Sequence, residues 1–497
     1  PLFTMKLFQF LFRFLFSISF FIPFNIVAQY YSSPESQGLK SENIQFCFDS
    51  LMNISHGEIH GIVVMRHGKI VAELFPEPFK REFSLTLYSV SKTFVATAVG
   101  LAVDDNRLRI SDRVMLFFPE FYRDTISDGW ADMTIRDLLT MSSGFEPDWN
   151  LRNIQSDWVQ SLLNKTVNHP GSHFKYDSMV SYLLSVIVQK VTGETVLDYL
   201  NKRIFSKIGI DDAEWEMSPE GYCVGGWGLR MSTLSMAKFG QFLLNRGIWN
   251  GEHLLSSSWV RVVMSVQQHA DKSRLYGYQI WKHDDIEGAF RSDGALGQYI
   301  IVAPKEDMVI AITQCNRGNG ILERQILNDW LLRKVSDKPL QEGTAYQKLR
   351  SSCYSLPVAG GKSLRAKYMK LLDKDIFLNQ NSLGWKSIRL TSCGAQLKIA
   401  IETTMGEQMI LRALKGKWGS DTTHVCPPYS INALGRFSGI SRRFVVSSSY
   451  GIKNGTLCLK IFFPNWISGV ELFISEEKGE IKVKAKENYK KEFTFLK

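Results

Sequence analysis

Ser89-Val90-Ser91-Lys92 leads directly into Thr93-Phe94-Val95-Ala96-Thr97-Ala98-Val99-Gly100-Leu101-Ala102-Val103, a run that is apolar on nearly every side. Such a run has the pattern of a buried central helix, and Asp104 and Asp105 close it. On a helix, residues three apart share a face, so the amine of Lys92 reaches back toward the hydroxyl of Ser89. A free serine hydroxyl is a weak nucleophile and needs a base within hydrogen-bond reach. Lysine serves once burial penalises its ammonium form. The partial positive charge of the helix N-terminus favours both the neutral amine and the oxyanion that forms later.

The bare S-x-x-K spacing carries little information, because the chain holds two more copies, Ser235-Met236-Ala237-Lys238 and Ser475-Glu476-Glu477-Lys478. The second copy lies in a charged turn. The first follows Gly225-Gly226-Trp227-Gly228 and reads as the N-terminal turn of a helix. A motif counts only in its expected setting, and only Ser89 is followed by a long apolar run.

Around this stretch the chain alternates between strand and helix signals. A helix is expected around Asn43 to Met52. His60 to Met65, a turn at Arg66-His67-Gly68-Lys69, and Ile70 to Glu73 read as a hairpin. A third strand is expected at Met308 to Thr313. Strands at both ends of a helical middle are the plan of an α+β domain with an antiparallel sheet.

Tyr88-Ser89-Val90-Ser91-Lys92-Thr93-Phe94 resembles the active-site segment of the serine β-lactamase and penicillin-binding-protein superfamily, in its class C and esterase branch. Asp112-Arg113-Val114 to Phe118-Pro119-Glu120 and Thr134-Ile135-Arg136-Asp137-Leu138-Leu139 to Ser143-Gly144 fit that branch in the same order. The resemblance covers roughly residues 30 to 330 and implies a β-lactamase/transpeptidase-like domain. It further implies that Tyr176, in Phe174-Lys175-Tyr176-Asp177-Ser178, occupies the place of the family's second motif. There it would be stabilised as a phenolate near lysine and share general-base and general-acid duty with Lys92. Ser178, where many relatives carry asparagine, would contact Lys92 or the substrate.

The third element of the superfamily is a strand edge reading K-T-G or H-x-G. Here the matching residues are Ser292-Asp293-Gly294. Gly294 suits a backbone that approaches substrate closely, and the amide of Ala295 would join that of Ser89 as an oxyanion hole. Ser292 stands where a lysine or histidine is usual, which weakens the case for β-lactamase or carboxypeptidase activity. Arg291 is a substitute that strand alternation aims away. Together with Gly225 to Leu229 and Tyr276 to Trp281, this variant is similar to 6-aminohexanoate-dimer hydrolases and type C esterases. Trp227, Tyr278 and Trp281 either line an apolar acyl pocket or pack the core.

Composition is that of a globular protein of two domains: 497 residues, 44% hydrophobic and 22% charged, too long for one ordinary core. The net charge of +10 arises partly from Lys482, Lys484, Lys486, Lys490 and Lys491, which alternate like a solvated strand face. Met5-Lys6 followed by an apolar run from Phe14 to Ala28 reads as an export signal over residues 1–28, with Pro1 to Thr4 ahead of the natural start. The expected localisation is therefore periplasmic or secreted, with anchoring in the membrane by an uncleaved N-terminal segment as the lesser alternative. The seven cysteines show no C-x-x-C spacing, so no zinc site is expected, and their pairing in an oxidising compartment is left open.

A hydrolase domain is expected over 29–335, a linker over 336–350 and an all-β barrel or sandwich over 351–497, where short β-branched and aromatic segments alternate with turn residues. No nucleotide or nucleic-acid motif is present. The resulting expectation is an exported serine hydrolase that uses no cofactor or metal. It would cleave a small ester or amide, cell-wall derived in one version, through an acyl-serine intermediate. The alternatives are a non-catalytic ligand-binding protein of the same fold and a penicillin-binding D-alanyl-D-alanine carboxypeptidase.

Overall fold

The computed structural model describes residues 31–121, 128–362, 371–394 and 396–497; the segment read as an export signal lies outside the described residues. The hairpin forms as Gly57–Arg66 and Lys69–Leu74. His67 and Gly68 both have positive φ, at 47° and 71°, a turn whose twist matches that of the strands it joins. The third strand, Met308–Asn316, pairs with Gly57–Arg66 from the other side. Gln298–Ala303, Phe290–Gly294 and three two-residue strands extend the layer to eight antiparallel strands.

Helix Thr233–Leu244 lies on this sheet. Gly240 permits the approach, because a Cβ there would stand 2.6 Å from Val309 Cγ1 and 2.8 Å from Ile300 Cγ2. The helix Ser91–Asp104 forms the next layer, and Phe94 stacks on Phe239 with ring centroids 3.8 Å apart. Every residue from Ser91 to Ala102 is buried, which is why the run carries no polar face. Helix Ser178–Thr192 packs beside it, and both belong to one apolar core.

The stretch expected as a linker holds a helix, Thr344–Ser351, docked on helix Ser41–Met52. Beyond it comes the expected all-β domain, in which ten strands form a single curled sheet, a half-barrel. All pairings are antiparallel except that of Gln408–Lys415 with Phe444–Lys453. The apolar face is covered by irregular chain instead of a second sheet: Val425, Tyr429, Phe437, Ile440 and Trp466 fill it, together with Tyr88 from the first domain. Lys482, Lys484 and Lys486 alternate with buried Val483 and Ala485 on its Glu480–Glu487 strand, as a solvated face requires. All seven cysteines are unpaired.

Candidate functional site

The serine turn is held from three sides. Strand Ser84–Thr86 pairs with Leu229–Ser232, and Leu87 N donates to Leu229 O at 2.9 Å. Tyr88 then turns into the left-handed region with φ 50°, a conformation that a bulky residue keeps only where its surroundings demand it. Ser91 Oγ, fully buried, donates to Tyr88 O at 2.6 Å and accepts from Leu229 N at 3.1 Å. The Tyr88 ring is buried in the half-barrel core, where its hydroxyl meets Ser430 Oγ at 2.8 Å. Ser89, between these buried neighbours, stays partly exposed.

Lys92 is 1% exposed, and its Nζ lies 2.9 Å from Ser89 Oγ, 2.9 Å from Ser178 Oγ and 2.5 Å from Gly226 O. Burial pulls its pKa down to about 7, the Arg152 guanidinium pushes it the same way, and the Asp177 carboxylate opposes both. A substantial fraction of the amine is therefore neutral at physiological pH, as a general base requires.

Tyr176 is half-buried. Its ring stacks on Trp281 with centroids 5.7 Å apart and 27° between planes, and Lys92 Nζ lies 4.9 Å from the ring centroid. Burial raises the pKa of the phenol far above the ordinary tyrosine range; the hydrogen bond with Ser89 works against this and the Asp293 carboxylate adds to it. The sequence expectation of a phenolate is therefore corrected. In the free site burial favours the protonated phenol, and the Asp293 carboxylate adds to that preference against the hydrogen bond with Ser89. Asp177 caps the next helix by accepting from Met179 N at 2.8 Å, which fixes Tyr176 and Ser178 on either side of it.

Gly294 lies against the serine turn, since a Cβ there would stand 2.3 Å from Leu87 O. Exposed Ala295 follows, opening a short turn in which Leu296 and Gly297 both have positive φ. Gln298 Nε2 donates to Ala295 O at 3.1 Å and to Gln314 O at 2.6 Å, tying this turn to the sheet. Ser292 is buried, its Oγ without a hydrogen-bond partner among the described residues. Arg291 does not replace the usual cation: its guanidinium is committed to Asp284 at 3.0 Å, Asp293 at 2.9 Å and Lys282 O at 3.1 Å.

Among the aromatic candidates, Trp281 is half-buried and stacks on Tyr176. Trp227 is buried next to Gly226, against Trp158 and the Arg152 guanidinium. Tyr278 turns elsewhere and packs on Trp259, whose indole N–H donates to Ala96 O of the serine helix. Sequence reasoning missed Arg152. Its one signal was Trp149 three positions earlier, and the guanidinium does sit over that ring, 5.0 Å from its centroid. The half-barrel reaches the same region: Leu434 N donates to Arg152 O at 2.9 Å, and Ile431 packs on both cores.

A central apolar helix led by a serine and a desolvated lysine, covered by an antiparallel sheet, defines a serine hydrolase of the β-lactamase/transpeptidase type. The chain belongs to the Beta-lactamase family, whose sequence model matches residues 50–333. It is 24% identical over 277 residues to 6-aminohexanoate-dimer hydrolase of Paenarthrobacter ureafaciens, covering 50% of this chain and 70% of that protein. It is 26% identical over 208 residues to penicillin-binding protein 4* of Bacillus subtilis (strain 168), covering 36% of this chain and 44% of the relative. The fold is similar to that of a penicillin-binding protein homolog from Caulobacter crescentus, at TM-score 0.51, 17% identity, and coverage of 59% of this chain and 97% of that one.

Proposed function

We propose that this chain is an exported hydrolase that cleaves an ester or amide through an acyl-serine intermediate. Lys92 takes the proton of Ser89 as Ser89 Oγ attacks the carbonyl carbon, and the amides of Ser89 and Ala295 hold the oxyanion. Collapse breaks the bond to the leaving group, which receives its proton through Tyr176. Water then adds to the acyl-serine by the reverse sequence and releases the acid. The observation carrying this reading is the 2.9 Å contact between Ser89 Oγ and a lysine amine whose pKa burial brings to about 7. Export rests on the reading of residues 1–28. The buried, uncharged Ser292 and the committed Arg291 favour esterase or amidase chemistry over a carboxypeptidase that would pair a cation from this strand with a peptide carboxylate.

The test is intact-protein mass after exposure to a fluorophosphonate, with short-chain nitrophenyl esters alongside. A single adduct and ester turnover, both lost in Ser89→Ala, are expected, with a rate loss of at least about 10⁴-fold. Wild-type turnover by folded Ser89→Ala would sink the mechanism.

A further inference from the structure

The Arg152 guanidinium sits between the faces of Trp149 and Trp227, 5.0 and 4.8 Å from their ring centroids. It is close enough to Lys92 and Asp177 to act on the charge of the former and feel that of the latter. Its Nε is buried and bonded to nothing among the described residues, whereas the backbone of the same residue is bound by Leu434. A partly buried guanidinium ordinarily has a carboxylate or carbonyl to satisfy its buried donors. Two aromatic rings flank this one without using any of those donors.

We propose that Arg152 binds an anionic group on the acyl half of the substrate, so that the enzyme prefers acyl donors carrying a second carboxylate, such as monoesters or monoamides of short dicarboxylic acids. This rests on the hydrolase reading above. The side of the site follows from its layout. Tyr176, stacked on Trp281, serves the leaving group, whereas Arg152 lies beyond Lys92 in the direction of Gly226 and Trp227. The usual carboxylate-binding cation of the Phe290–Gly294 strand is absent, and Arg291 is occupied, which leaves Arg152, among the described residues, as the cation near Lys92 that is free to recognise charge. A planar guanidinium suits a carboxylate because two parallel N–H donors meet two oxygens.

Two measurements test this. In the first, mono-4-nitrophenyl glutarate is compared with 4-nitrophenyl valerate, its neutral counterpart of equal chain length. The ratio of their kcat/KM values should favour the glutarate by about tenfold or more, mainly through KM. Arg152→Gln should bring the ratio near unity, and Arg152→Lys should keep only part of it. A wild-type ratio at or below one, or an unchanged ratio in Arg152→Gln, overturns the proposal. In the second, glutarate is titrated into Ser89→Ala protein and the indole fluorescence of Trp149 and Trp227 is followed. Saturable quenching that disappears in Ser89→Ala/Arg152→Gln supports the anion site even if no ester is turned over, which would count against the hydrolase reading alone. Quenching that persists without Arg152, or none at all in protein whose melting curve shows it folded, overturns the site itself.

Discussion

The hydroxyl of Tyr88 meets Ser430 Oγ at 2.8 Å, so the residue immediately before the proposed nucleophile is anchored in the other domain. Because Tyr88 holds a left-handed backbone, its side chain adds to the strand pairing and the Ser91 hydrogen bonds that keep Ser89 in place. Tyr88→Phe should lower stability by about 1 kcal/mol, the net worth of a hydrogen bond, with a modest loss of turnover. Tyr88→Ala should cost about 3 kcal/mol or more through the cavity left in the half-barrel core, and a larger share of activity. Chemical denaturation and ester kinetics on the same preparations check both.

Lys92→Met keeps the bulk of the side chain and removes the amine. The pKa of Lys92 falls from 10.5 in the unfolded chain to about 7 in the fold, so the unfolded state binds the extra proton between those values. Its unfavourable contribution is therefore complete below pH 7 and fades as pH rises toward 10.5. Turnover should collapse while the melting temperature holds or rises, most clearly below pH 7. In the wild type, the acid limb of kcat/KM should rise with an apparent pKa near 7. Thermal melts and rate profiles over pH 5.5 to 9 decide it; a profile already flat from pH 5.5 upward would point to a carboxylate base instead.

Glu216 is buried between the domains, accepting from Tyr429 OH at 3.0 Å and Phe437 N at 2.8 Å. Burial raises its pKa from 4.5 to about 7. The fold therefore binds a proton that the unfolded chain has released between these values, and this group's stabilising contribution is lost as pH rises through that window. Glu216→Gln keeps an acceptor for Phe437 N and removes the charge. It should raise the melting temperature at pH 8 and change it little at pH 5. Paired melts at the two pH values are the check, and an equal effect at both would refute the titration argument.

Gly294→Ala should separate the strand edge from the serine turn, since its Cβ would stand 2.3 Å from Leu87 O. Overpacking of this kind costs about 1–3 kcal/mol. Displacing the Ala295 amide should lower kcat by about 100-fold, the scale of losing one oxyanion donor. Denaturant titration and kcat on a nitrophenyl ester measure the two effects separately.

The apolar run after Lys92 announced its own burial because no solvent-facing residue interrupts it, and the hairpin at His67-Gly68 was legible from its turn residues. The contacts of Ser89, Lys92 and Ser178 followed from helical spacing and the resemblance. The charge state of Tyr176 was not legible, because it depends on how deeply the ring is covered by Trp281 and Tyr276. Nor was Tyr278, whose neighbour Trp259 lies nineteen positions earlier in the chain and marks no local period. Alternation in the C-terminal strands revealed a one-sided sheet but not what covers it, and the loop through Tyr429 and Phe437 does that in place of more strands.

The anchoring of Tyr88 in the half-barrel has an evolutionary consequence. A domain that merely accompanied the hydrolase could be exchanged or shed without altering the chemistry, whereas here each half inherits part of the other's working geometry. If Ser89 is the nucleophile, substitutions around Ser430 and Tyr429 should reach the chemistry through Tyr88 although neither residue belongs to the hydrolase fold, and the two halves are expected to diversify as a single lineage.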